Sequence, residues 1–133
     1  MRFFDLFQKK PVPLTGAPPV RRVKTYSAQT GYVYQYYYEG HRPLHADGKS
    51  GTEFVFEVSV DRKDWSAVSV VVSEDAIGAW EKAQARRLSA TERYAVAKMA
   101  LFQAFDEREP ANLRGPVEVR ETDLAGILET LDL

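Results

Sequence analysis

Cysteine is absent from this 133-residue chain, which removes disulfides, thiol nucleophiles and thiolate metal sites together. Histidine is almost absent, with His41 and His45 as the chain's 2 copies. Charge imbalance is missing too, because 18 Lys+Arg against 19 Asp+Glu leave a net charge of -1. No global field therefore draws in nucleic acid or an anionic membrane. No apolar run reaches the length of a membrane span. At the start, Asp5, Gln8, Lys9 and Lys10 interrupt what a signal peptide would keep apolar. The cytoplasm is the expected compartment. Gly-x-Ser-x-Gly, a Walker loop, a dinucleotide fingerprint and His-Glu-x-x-His are all lacking. These absences weigh against catalysis, and no cofactor is expected.

What is present is an ordinary globular composition, 44% hydrophobic and 28% charged. A chain of this length buries roughly two-thirds of its unfolded surface, enough for a core without metal or disulfide. The organising stretch is Thr52–Ser73, two alternating β-rich runs around Asp61-Arg62-Lys63-Asp64-Trp65. Phe54, Phe56, Val58 and Val60 share one face of the first run, and Val68, Val70 and Val72 one face of the second. A five-residue loop places Val58 opposite Val68, Phe56 opposite Val70 and Phe54 opposite Val72, pairs that stabilise an antiparallel sheet. At the tip, Trp65 either folds over the sheet edge or stands as an interface anchor.

Upstream, Tyr32, Tyr34, Tyr36 and Tyr38 occupy alternate positions of a Tyr-rich strand over about 30–39. Continuing the hairpin's apolar face is the favoured arrangement, because aromatics supply core area. The other arrangement is an exposed stacking ladder. It wants a basic groove, and the local cations are few: Arg21, Arg22, Lys24 and Arg42. Gly40–Gly51 reads as a long connection holding His41, Arg42, His45, Asp47 and Lys49. His41, His45 and Asp47 are metal-ligand types, but their spacing matches no motif and Pro43 prevents a helix from aligning the two rings, so no metal is called. An anion site suits Arg42, His45 and Lys49 better. Curled over the sheet end, this loop would gather near the helix start at Ser73, roofed by Tyr36 or Tyr38.

The first 24 residues differ from the rest. Phe3, Phe4, Leu6 and Phe7 crowd one short stretch, and a proline-rich tether follows. They either cap the domain's own core or dock on a partner or a membrane surface. Residues 25–133 read as one α+β domain. After Ser73 the period becomes helical, with Ile77, Trp80, Gln84 and Leu88 on one stripe. Ser89-Ala90-Thr91-Glu92 is a capping box for a second helix to about residue 108. Pro116–Arg120 reads as an edge strand, and Thr122 as the cap of a last helix. There Leu124, Ile127, Leu128 and Leu131 form a stripe that docks on its own fold or joins a homodimer.

The expected fold is α+β: a three- to four-stranded antiparallel meander with two or three helices on one face. The expected function is a small non-catalytic binding or adaptor domain. Its contacts would be Phe3, Phe4, Leu6, Phe7 and Trp65, and a protein its partner. The alternative is a small enzyme or ligand-binding protein. Its site would lie at the 40–51 loop beside Tyr36 and Tyr38.

Overall fold

Asp47 and Gly48 both adopt positive φ, 53° and 73°, the two-residue hairpin turn whose twist matches its strands. In this computed structural model, which describes residues 12–133, that turn joins β2 (Val33–Ala46) to β3 (Lys49–Ser59). The expected connection over residues 40–51 is therefore strand almost throughout. Pro43 had argued against a helix there, and a strand forms instead. The proline is tolerated because β1 (Lys24–Ser27) pairs only with Val33–Tyr36, leaving the later half of β2 near an open edge. His41 turns its N–H outward to Thr15, and Pro43, two residues on, directs its missing donor the same way.

The sheet order is β1-β2-β3-β4-β5, with β4 at Ser66–Ser73 and β5 at Val117–Val119. The first three pairings are antiparallel, and β5 lies parallel to β4. The sheet therefore has five strands where three or four in a meander were expected. Between β3 and β4 the register lies two residues from the expected one, with Val58 opposite Ser66, Phe56 opposite Val68 and Phe54 opposite Val70. The cause is the turn chemistry. Ser59 Oγ accepts from Arg62 N at 2.9 Å, and Asp61 Oδ1 accepts from Lys63 N and Asp64 N, each at 2.8 Å. Ser59 and Val60 thus have no partner in β4, although Ser59 still pairs with Gln35 of β2. A slip of two residues keeps every side chain on its face, so the hairpin's apolar face still points inward.

Three helices follow β4 in two groups: α1 (Glu74–Gln84), α2 (Ala90–Glu107) and, after β5, α3 (Glu121–Thr130). Ser73 caps α1 through Ala76 N, and Ser89 with Glu92 closes the capping box of α2. The last helix starts one residue before Thr122. Its first turn is closed by Asp123, whose Oδ2 accepts from Arg120 N at 3.0 Å. Leu124, Ile127 and Leu128 are buried in the chain's own core, beside α1 and α2.

That core lies between the helices and the inward sheet face. Phe105 of α2 is its centre: fully buried, stacked on Tyr34 at 4.1 Å between centroids, and 5.7 Å from the ring of Tyr26. Tyr34 and Tyr36 are core residues at 0% and 4% exposure, whereas Tyr32 at 40% is not. Tyr26 closes the margin, donating its hydroxyl to Asp106 Oδ2 at 2.7 Å.

Candidate functional site

The site begins with an irregularity in β2. Tyr38 pairs with Phe56 but Gly40 pairs with Val55, so Glu39 is the extra residue of a β-bulge. Uninterrupted alternation would send Tyr38 and His41 to opposite faces. The bulge puts both on the inward face, where the Tyr38 hydroxyl meets His41 Nδ1 at 3.0 Å. Gly40 makes this geometry accessible, with φ 129°. A Cβ there would lie 2.7 Å from the Thr15 carbonyl oxygen. Thr15 in turn exchanges two backbone hydrogen bonds with His41, at 2.9 and 2.8 Å. The proline-rich segment thus straps the open edge of β2, and Gly16 lies against the His41 ring.

Between this strap, β2 and the start of α2 lies a cleft of about 620 Å³, within the range of small-molecule sites. Its aromatic wall is Tyr36, Tyr38, Phe54 and Tyr94, with Tyr38 and Tyr94 at 4.7 Å between centroids. Its cations are Arg22, Lys24 and Arg93, and among the described residues no Asp or Glu lines it. Ala90 and Thr91 place the first turn of α2 there, where backbone N–H groups are left over.

The nearby acids have partners of their own. Arg93 Nη1 donates to both carboxylate oxygens of Glu74, at 2.9 and 3.1 Å, and Thr52 Oγ1 donates to the same group at 2.7 Å. Glu92 faces Arg86 and the Ser89 amide, whose bonds hold its carboxyl below the usual range. Arg22 and Lys24 form no ion pair with a described carboxylate.

Burial raises the phenols of Tyr36 and Tyr94, and pushes Tyr38 up to about 12, with Tyr94 adding to that shift. A phenol used as a base would need the opposite shift. These hydroxyls stay protonated at neutral pH and serve as donors and apolar walls. Among the described residues no cluster of three or more His, Cys, Asp or Glu could hold a metal ion.

Of the residues singled out in the 40–51 stretch and beside it, the fold brings Tyr36, Tyr38 and His41 to the cleft. Arg42 faces the other side of the sheet, where its Nε donates to Glu53 Oε1 at 2.7 Å and Ser69 Oγ donates to Oε2 at 2.6 Å. His45 is near the hairpin tip, its Nδ1 3.0 Å from Ser50 Oγ. Asp47 forms the turn, and Lys49 opens β3 opposite Ala46. Trp65 lies against Tyr37 at 5.3 Å, and Arg21 sits over the other aromatic of that pair, 5.0 Å from the Tyr37 centroid. Phe3, Phe4, Leu6 and Phe7 fall outside the described residues.

Sequence reasoning missed Arg93 and Thr91 because they sit on a helix assigned to the core. Arg22 and Lys24 were visible only as a short basic run. Compared with known proteins, the chain matches no family model, no curated protein and no solved structure.

Proposed function

We propose that the chain is a small non-catalytic binding module whose cleft takes an anionic ligand with an aromatic or apolar body. The observation that carries this reading is the composition of the cleft wall. In a chain with 19 acidic residues, the wall holds Arg22, Lys24 and the Glu74-paired Arg93 beside Tyr36, Tyr38 and Tyr94, and no described carboxylate. Cations surrounded by low-dielectric aromatic walls concentrate an anion more strongly than the same charges on an open surface. The protonated phenols of Tyr36, Tyr38 and Tyr94 supply donors without a catalytic base.

A titration followed by backbone amide shifts tests this. Phenylacetate should move residues 36–41 and 90–94, and its neutral isostere phenylacetamide should bind at least fivefold more weakly. Equal binding of the two, or shifts confined to the opposite sheet face, would refute it.

A protein partner is the second reading. Arg21, Tyr37 and Trp65 form a cation–aromatic group on the face turned away from the core, the residue types that dominate interfaces. Under either reading the chain works in the cytoplasm. Supporting that placement are the lack of cysteine and the finding that no described helix is long and apolar enough to cross a membrane.

A further inference from the structure

The sheet face turned away from the helices carries a second cluster. By alternation Val33, Gln35 and Tyr37 share that face, opposite the buried Tyr34 and Tyr36. Tyr37 and Glu57 are direct cross-strand partners, so their side chains stand together. Arg21 comes from the β1 side, its guanidinium carbon 5.0 Å from the Tyr37 centroid and its Nη2 3.2 Å from Glu39 Oε1. Trp65, which leads into β4, lies 5.3 Å from the same ring. One half of the cluster, Tyr37 with Glu39, already holds a guanidinium. The other half, Trp65 with Glu57, repeats the chemistry of an aromatic ring and a carboxylate beside Tyr37. Among the described residues no cation pairs with Glu57 or lies over Trp65. Burial first, and then the charge of Glu39, raise the Glu57 carboxyl against the opposing effect of Arg21, the sign of an acid short of a counter-ion. Gln35 adds an acceptor. It is 5% exposed, and its Oε1 has no partner among the described residues. Its last torsion is broad and two-fold, so the amide can turn that oxygen toward a donor arriving on this face.

We infer that this face docks an arginine-bearing peptide segment of a partner protein, the guanidinium seated on Trp65 and paired with Glu57, beside the position that Arg21 fills. This rests on the protein-partner reading above and names that partner's chemistry. Glu53 on the same face is already matched by Arg42, which leaves Glu39 and Glu57 against Arg21. One further positive charge completes the balance. Arginine suits the place better than lysine, because its planar fork stacks on an aromatic ring while it pairs with a carboxylate. Val33, 44% exposed, offers apolar contact to a flanking residue.

The test titrates the full chain with acetyl-Gly-Arg-Val-Gly amide and with its lysine and citrulline counterparts, following backbone amides and the Trp65 indole N–H. The arginine peptide should move residues 35–39, 57 and 65. It should bind about fivefold more tightly than the uncharged citrulline peptide and about twofold more tightly than the lysine one, as one exposed cation–aromatic contact and one exposed ion pair allow. Glu57→Gln keeps the shape of a side chain outside the core, and should bring the arginine and citrulline peptides to nearly equal binding. If either counterpart binds as well as the arginine peptide to the wild type, or the margin over citrulline survives Glu57→Gln, the arginine assignment is overturned and the docking face stands. If no peptide moves residues 35–39, 57 or 65, both are overturned.

Discussion

Gly40→Ala is the substitution that most directly tests how the cleft is built. Two costs add. A non-glycine residue at φ 129° occupies a sparsely populated region, at about 1–3 kcal/mol. The new Cβ would also lie 2.7 Å from Thr15 O and 3.1 Å from Leu14 Cβ. Two relaxations are open to the chain. The strap can leave the edge, giving up the paired Thr15–His41 hydrogen bonds at about 1 kcal/mol each. Otherwise the bulge can re-form elsewhere, turning His41 away from Tyr38. Either route gives a loss of about 3–5 kcal/mol, roughly 10–20 °C in Tm for a chain of this length. Urea unfolding measures the stability, and hydrogen exchange at the Thr15 and His41 amides identifies the route. A stability loss under about 1 kcal/mol with both amides still protected would refute the account of the bulge. Loss of stability with protection retained would place the cost in the backbone alone and leave the strap out of it.

Phe105→Ala should cost about 4 kcal/mol, because it opens a cavity under the stacked Tyr34 ring at the centre of the core; a urea-measured loss below about 2 kcal/mol would show that α2 packs less tightly than described. Asp61 gives a pH prediction. Bonds from the Asp64 and Lys63 amides hold its pKa at about 2, against an ordinary value of 3.8. A folded-state pKa below the unfolded one means that the contribution is complete above about pH 4 and fades as pH falls toward 2. Asp61→Asn should therefore show a shallower decline of the urea midpoint across that window, and parallel curves for the two proteins would sink the assignment.

Alternation along strands survives some errors and not others, and this decides what the sequence could disclose. The β3–β4 register differs from the expected one by two residues, yet Phe54, Phe56, Val68, Val70 and Val72 all reach the core, since even slips preserve the face. The helices were equally readable, because Ser73 and the Ser89–Glu92 box carry their own capping chemistry. The bulge at Glu39 is an odd slip. From Tyr38 onward a regular reading would turn His41 outward and Arg42 inward, the reverse of what the fold does. Its visible sign is one glycine, and Gly40 was equally compatible with the start of a loop. Asp47-Gly48 is a legible hairpin turn that the expected loop over residues 40–51 passed over, and nothing in the sequence shows that Pro43 falls where β2 lacks a neighbour.

The cleft's charge was hidden for a different reason. A net charge of -1 is a sum over the whole chain, whereas a ligand meets only the charges left facing it. Here Glu74 lies beneath Arg93 and Thr52, Glu92 is turned to Arg86 and the Ser89 amide, and Glu53 crosses to Arg42 on the far side of the sheet. Glu92 and Glu53 are thereby drawn to partners off the wall and Glu74 is engaged by two of its lining residues, while Arg22 and Lys24 are carried in by a strap with no acid of its own between Val12 and Lys24. Segregation of charge in this fold is thus a consequence of which carboxylates find partners first. A chain of balanced composition can present a cationic pocket without any excess of lysine or arginine to announce it.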